Sequence, residues 1–158
     1  MAFHDDLLEQ AIHLAHLDPL HPKQASLRRA ISTAYYALFH LLIDAAVSNW
    51  GRHNPGLARA FDHRTMKITS LRLLSPIEFP FTGEDPDVVV RLRSVAKSFV
   101  ELQENRHLAD YDNSTTWIAT DALTLVKSAE LAFARWHIIR QKPIAQDYLV
   151  ALLFKNRS

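Results

Sequence analysis

Two short stretches of this 158-residue sequence hold nearly all of its candidate chemistry. In the first, Arg29, Thr33, Tyr36 and His40 recur at offsets of 4, 7 and 11. On an α-helix such positions fall within about 40–60° of one another. Ser32 and Asp44 flank the same line, and the surrounding residues are Ala, Leu, Ile and Phe. A polar seam on an otherwise apolar helix costs free energy unless its groups find partners. It therefore predicts contact with other polar groups, water or a ligand. The second stretch is Glu104-Asn105-Arg106-His107-Leu108-Ala109-Asp110-Tyr111-Asp112, read as an acidic, aromatic turn at a helix end. Arginine is suited to phosphate, and a tyrosine ring to stacking on a base. If the two stretches face each other, Arg29, Thr33, Tyr36, His40, Arg106, Asp110 and Tyr111 line one groove. The alternative is architectural: Arg106 paired with Asp110 or Asp112 locks a helix end, and Tyr36 and His40 are satisfied core residues.

Other chemistries find little footing. His40 and Asp44 share the i, i+4 spacing that can hold a metal, but the remaining histidines of the nine are scattered and no second ligand pair accompanies them. His13 and His16 lie off the apolar side of their helix. No metal or cofactor is expected. There is no cysteine, and no serine sits in a strand–turn–helix elbow. Glycine-rich phosphate loops are absent, with only three glycines in the chain.

The elements that must position these residues are helical. No alternating strand pattern appears, whereas helical spacing recurs throughout. The first helix is expected over about Phe3 to Leu17, ended by Asp18-Pro19 and Pro22. A second, about Lys23 to Trp50, is apolar almost all round in its middle and so should be the most buried. A third spans about Leu57 to Leu74, and Ser75 to Pro86 reads as a proline-rich loop. In the fourth, Asp87 to Arg106, Val88, Leu92, Val95, Phe99 and Leu102 form one stripe. Arg106 follows Val88 by 18 residues, five full turns, so the stripe ends in an inward arginine. The fifth, about Thr115 to Arg140, has capping candidates at Asn113 and Ser114 and a core stripe of Ile118, Ala122, Leu125, Ala129, Phe133 and Trp136. After Pro143, Ile144 to Phe154 forms a short apolar helix that either packs on the rest or makes a partner interface. The expected fold is all-α: an up-and-down bundle of four to five main helices, core about 3–140, with a short C-terminal helix over 141–158. The whole of 1–158 is expected to form one domain.

Net charge is +1, from 18 basic and 17 acidic residues, which excludes a generally basic nucleic-acid binder but not a local groove. Arg52, Arg59, Arg64, Lys67 and Arg72 cluster in sequence without sharing a helical face. Glu78, Glu84, Asp85 and Asp87 follow them. The start, MAFHDDLLEQ, is acidic where a secretory signal needs a basic then apolar run. The longest uncharged stretch, about Ala30 to Ile43, is too short for a bilayer. A cytoplasmic protein without membrane contact is expected.

The run Ser26-Leu27-Arg28-Arg29-Ala30-Ile31-Ser32-Thr33-Ala34-Tyr35-Tyr36-Ala37-Leu38-Phe39-His40, with Arg106-His107-Leu108-Ala109-Asp110-Tyr111-Asp112 about seventy residues later, resembles the HEPN domain family. Within it, the small stand-alone prokaryotic members with an Arg-x-x-Ala-Asp-Tyr ending are most similar. The resemblance covers about Leu7 to Trp136. It implies a helical bundle, commonly a homodimer, that binds nucleotide or RNA, often beside a nucleotidyltransferase partner in a toxin–antitoxin pair. Ribonuclease members resemble one another in an Arg followed roughly four to six residues later by His. Here those positions hold Asp110, Tyr111 and Asp112, and His107 is adjacent to Arg106 instead. A metal-independent ribonuclease needs a group titrating near neutrality. The resemblance therefore implies a non-catalytic nucleotide-, RNA- or partner-binding module. Two alternatives stand beside it: a weak ribonuclease using Arg106 with His107 or His40, and a purely structural assembly subunit using the apolar tail.

Overall fold

A computed structural model of the chain describes residues 2–79, 81–82 and 85–154. Among these residues there are six α-helices and no strand, as the spacing predicts. They are α1 (Phe3–Ala15), α2 (Gln24–Trp50), α3 (His63–Leu74), α4 (Pro86–Tyr111), α5 (Ala119–Ile139) and α6 (Pro143–Ala151). Short 3-10 turns occupy Gly51–His53 and Leu57–Ala60.

Where the helix ends differ from expectation, a local hydrogen bond accounts for the change. The third helix starts at His63 because Asp62 is a true N-cap, its carboxylate accepting from the Thr65 amide at 2.8 Å. The residues before it form a separate 3-10 turn, entered through Gly56 at φ 86°, a left-handed conformation that glycine adopts without penalty. Helix α5 starts at Ala119 rather than near Thr115. The amide of Ile118 donates to Asp121 three residues on, at 3.1 Å, one half of a capping box. Ile118 thus flanks the helix and is 59% exposed, so it does not join the core stripe. Helix α4 runs five residues past Arg106, to Tyr111, which turns the expected Arg106–Asp112 turn into the last helical turn. Pro80, Gly83 and Glu84 of the expected loop, and residues 155–158, lie outside the described residues.

The chain divides into two compact units. One comprises Met1–Leu41 and Glu101–Phe133. Within it, Leu27, Ala30, Ile31, Ala34, Tyr35 and Leu38 of α2 are buried. So are Leu102 and Ala109 of α4 and Ala122, Val126, Ala129 and Phe133 of α5. Helix α1 contributes Ala11, Ala15 and the edge of His4, whose ring lies 5.9 Å from that of Phe133.

The other unit comprises Leu42–Val100 and Ala134–Ser158. Its buried residues include Leu42, Ala46, Met66, Leu73, Leu92, Val95, Phe99 and Trp136. The C-terminal helix α6 belongs to this core, with Ile144, Ala145, Tyr148 and Leu149 all buried. Tyr148 stands 6.5 Å, ring to ring, from Trp136, and its hydroxyl hydrogen-bonds Ser70 at 2.7 Å. Burial pushes that phenol's pKa up, so it stays neutral and meets the serine as an uncharged pair. The apolar tail is thus spent largely on the chain's own interior, with Val150 and Phe154 left exposed.

By length and composition, Gln24–His53 is apolar enough to cross a membrane, contrary to the estimate from its longest uncharged run. Of its most apolar window, 61% is buried against the rest of the chain, as for the core helix of a folded domain.

Because α6 is core rather than appendage, Leu149→Ala is expected to lower the unfolding free energy by about 2–5 kcal/mol. Val150→Ala, at a position 38% exposed, should cost less, about 1 kcal/mol or below. Urea unfolding followed by circular dichroism distinguishes the two.

Candidate functional site

Positions 25, 28, 29, 32 and 33 of α2 follow the i, i+3, i+4, i+7, i+8 progression and so share one helix face. This face forms one wall of a cleft of about 420 Å³, lined by Ala25, Arg28, Arg29, Ser32 and Thr33. The other wall is the last turn of α4, through Ala109 and Asp110. Ala25 and Ala109 have no side chain beyond Cβ, which leaves room between the walls. The whole cleft lies in the unit of residues 1–41 and 101–133.

Arg28 sets the second wall in place. Its Nη1 donates to the carbonyls of Ala109 and Asp112 at 2.8 and 2.9 Å, and its Nη2 to that of Thr115 at 2.5 Å. The last carbonyls of a helix have no partner within it, and a cation near them also complements the helix dipole. One turn earlier, Gln24 donates to the Trp117 carbonyl at 2.6 Å and accepts from the Trp117 amide at 3.0 Å. Between these anchors Asp112 folds the loop on itself. One carboxylate oxygen accepts from the Ser114 amide and hydroxyl, the other from Thr115 Oγ1 at 3.0 Å. The Ser114 hydroxyl, then its amide, then Thr115 hold the Asp112 carboxyl below its ordinary value of 3.8, with a smaller contribution from Arg28. Asp112 is therefore a loop-closing residue, and it is Asp110 that meets Arg106.

Arg106 Nη1 lies 3.7 Å from Asp110 Oδ2, an i, i+4 pair on α4. That is longer than the 2.7–2.9 Å typical of a charge-assisted hydrogen bond, so Asp110 is held loosely. The Ser32 hydroxyl donates to the same Oδ2 at 3.3 Å. Arg106 itself is only 9% exposed, and its Nε is buried without a hydrogen-bond partner among the described residues. Its guanidinium carbon sits 5.2 Å from the Tyr35 ring centre and 5.7 Å from that of Tyr36, within cation–π range. The inward arginine expected from helical phase is therefore partnered by two aromatic faces and one loose carboxylate.

The structure sorts the expected groove residues into four places. Arg29, Thr33 and Asp110 line the cleft. Arg106 and Tyr36 meet each other beside it. His40 stands further along α2 in an aromatic cluster, its ring 5.0 Å from Phe3, 5.3 Å from Phe39 and 6.5 Å from Tyr36. Tyr111 is 68% exposed and faces His107 at 5.1 Å between rings, on another strip of α4. Arg29 is exposed and has no hydrogen-bond or ion-pair partner among the described residues. Those residues also include no group of three or more acidic or histidine side chains arranged to hold a metal. Sequence reasoning passed over Arg28 and Gln24, although Gln24, Arg28 and Ser32 form an i, i+4, i+8 line that marks a second polar edge of the same helix.

The adjacent arginines should separate cleanly under mutation. Arg28→Ala removes three carbonyl contacts and is expected to cost about 2–3 kcal/mol, with Arg28→Lys restoring little because an ammonium cannot reproduce the planar fork. Arg29→Ala should stay within about 0.5 kcal/mol, since the side chain has no protein partner. Chemical denaturation of the three variants reads this directly.

The Asp112 carboxylate generates an acid dependence. Its folded-state pKa is depressed, so its contribution to stability is present above the ordinary value of 3.8 and fades as pH falls through the folded value. Wild-type protein should lose stability below about pH 4, and Asp112→Asn should flatten that part of the profile. Thermal melts between pH 2.5 and 6 would show an identical acid slope in both proteins if the carboxylate had no such role.

Comparison of the chain with protein-family models, curated proteins and solved structures found no match.

Proposed function

We propose that the chain is a HEPN-like binding module that holds a nucleotide or a short single-stranded RNA segment in the α2–α4 cleft without cleaving it. The observation that carries this reading is Arg29, an exposed cation with no protein partner among the described residues, in a cleft of about 420 Å³ beside two hydroxyls. Small-molecule sites commonly span roughly 300–1,000 Å³ and fix orientation with a few polar groups. Arg29 would take a phosphate, with the Thr33 hydroxyl as a further donor and the committed charge of Arg28 adding to the field. The exposed Tyr111 ring offers a stacking platform for a neighbouring base. Arg106 does not line the cleft, so its role is to position Asp110 and the Tyr35 and Tyr36 rings rather than to touch phosphate.

A binding role is favoured over cleavage because general acid–base catalysis needs a group titrating near neutrality at the reacting hydroxyl. At that place relative to Arg106 the chain offers Asp110, and His107 turns to the outer strip with Tyr111. The resemblance extends the proposal to a homodimer acting beside a nucleotidyltransferase in a toxin–antitoxin pair.

Fluorescence anisotropy with a labelled short RNA tests the reading. Wild-type protein should bind, and Arg29→Ala should bind about tenfold more weakly with an unchanged melting temperature. The same variant should reduce the slope of log affinity against log salt by about 0.7, the value for one phosphate contact to a single strand. No binding of RNA or mononucleotide by wild-type protein would reject the proposal, and cleaved product from pure protein would reject its non-catalytic part.

A further inference from the structure

We infer that the cleft discriminates between bases, and that Asp110 makes it selective for guanine. This rests on the nucleotide-binding reading above and deepens it. The cleft is not simply cationic. Arg29 and the guanidinium of Arg28 stand on the α2 wall, and a carboxylate, Asp110, faces the same space from α4. A bare phosphate suits the first wall and is repelled by the second, so the complementary ligand has an anionic end and a hydrogen-bond-donating end.

The state of the carboxylate narrows the donating end. Asp110 Oδ2 is approached by Arg106 at 3.7 Å and by the Ser32 hydroxyl at 3.3 Å, both long contacts. Its Oδ1 accepts no hydrogen bond among the described residues, and the side chain is 29% exposed. An ionised carboxylate is an acceptor only, with about four lone-pair sites, so most of its capacity is unused. Its charge is already answered by Arg106, and a cationic ligand would meet Arg28 and Arg29 as well. What the site lacks is a neutral pair of donors. Guanine alone of the four common bases presents two adjacent donors, the N1 hydrogen and the N2 amino group, to the two oxygens of one carboxylate. Adenine and cytosine place a ring-nitrogen lone pair beside their amino group, and uracil flanks its single N–H with carbonyls. Each of these three sets an acceptor against the carboxylate.

Calorimetric titration of the full chain with GMP, AMP, CMP and UMP tests this. GMP should bind about tenfold or more tightly than the other three, the difference made by one charge-assisted hydrogen bond. Asp110→Asn should abolish the preference, because its amide supplies one donor and one acceptor. Arg29→Ala should weaken all four nucleotides by a similar factor. If wild-type protein binds the four within about twofold of one another, base selection is overturned while nucleotide binding stands. If it binds none of the four, base selection falls, and the nucleotide-binding reading falls with it where the labelled RNA also fails to bind. The wild-type series needs no mutant, so the inference stays testable even where Asp110→Asn fails to fold, a case that a melting curve identifies.

Discussion

The fork of hydrogen bonds from Arg28 to the end of α4 is the constraint on which the site depends. A helix ending in mid-protein leaves its last carbonyls without partners, and here one guanidinium satisfies one of them, that of Ala109, and two more in the segment just beyond, those of Asp112 and Thr115. Because the donor comes from α2, satisfying the end of α4 also fixes its distance from α2. The cleft is the space left over between these two elements at that spacing. Arg29, one residue on, is turned about 100° from Arg28 and is thereby released from structural duty.

The same arrangement explains why α4 outlasts its expected end. Nothing from Arg106 to Tyr111 breaks a helix, and the stop is made by Asp112, whose carboxylate folds the next three residues back on themselves. The extension matters for chemistry. It places Asp110 about one turn after Arg106, so that the buried cation and the cleft carboxylate become a single i, i+4 pair. A residue that seemed to belong to a loop is instead held at a helical register.

What could be read from the sequence followed from periodicity. The stripe Val88, Leu92, Val95, Phe99 and Leu102 is buried throughout, and its continuation to Arg106 holds. The seam from Arg29 to His40 is real as a line on α2, yet its members divide among a cleft, an arginine contact and an aromatic cluster. Helical phase gives direction around an axis but not what stands opposite at each height. Arg28 and Gln24 escaped notice for a related reason. Their partners are backbone groups of Ala109, Asp112, Thr115 and Trp117, and a peptide carbonyl leaves no mark in the residue type that carries it. Charge at Asp112 was legible, but whether it served Arg106 or the loop depended on Ser114 and Thr115 closing on it first.

The two-point grip of Gln24 on the Trp117 peptide bears on how the cleft would meet a ligand. Gln24 and Arg28 lie one turn apart on a rigid helix, and together they immobilise the backbone from Ala109 to Trp117 before anything binds. Ordering a backbone residue costs roughly 1–2 kcal/mol of conformational entropy, and over this segment that cost is met during folding. A guest entering between the walls would forfeit mainly its own freedom and the rotamers of a few side chains such as Arg29. Such a pocket recognises by fit rather than by closing around what it holds.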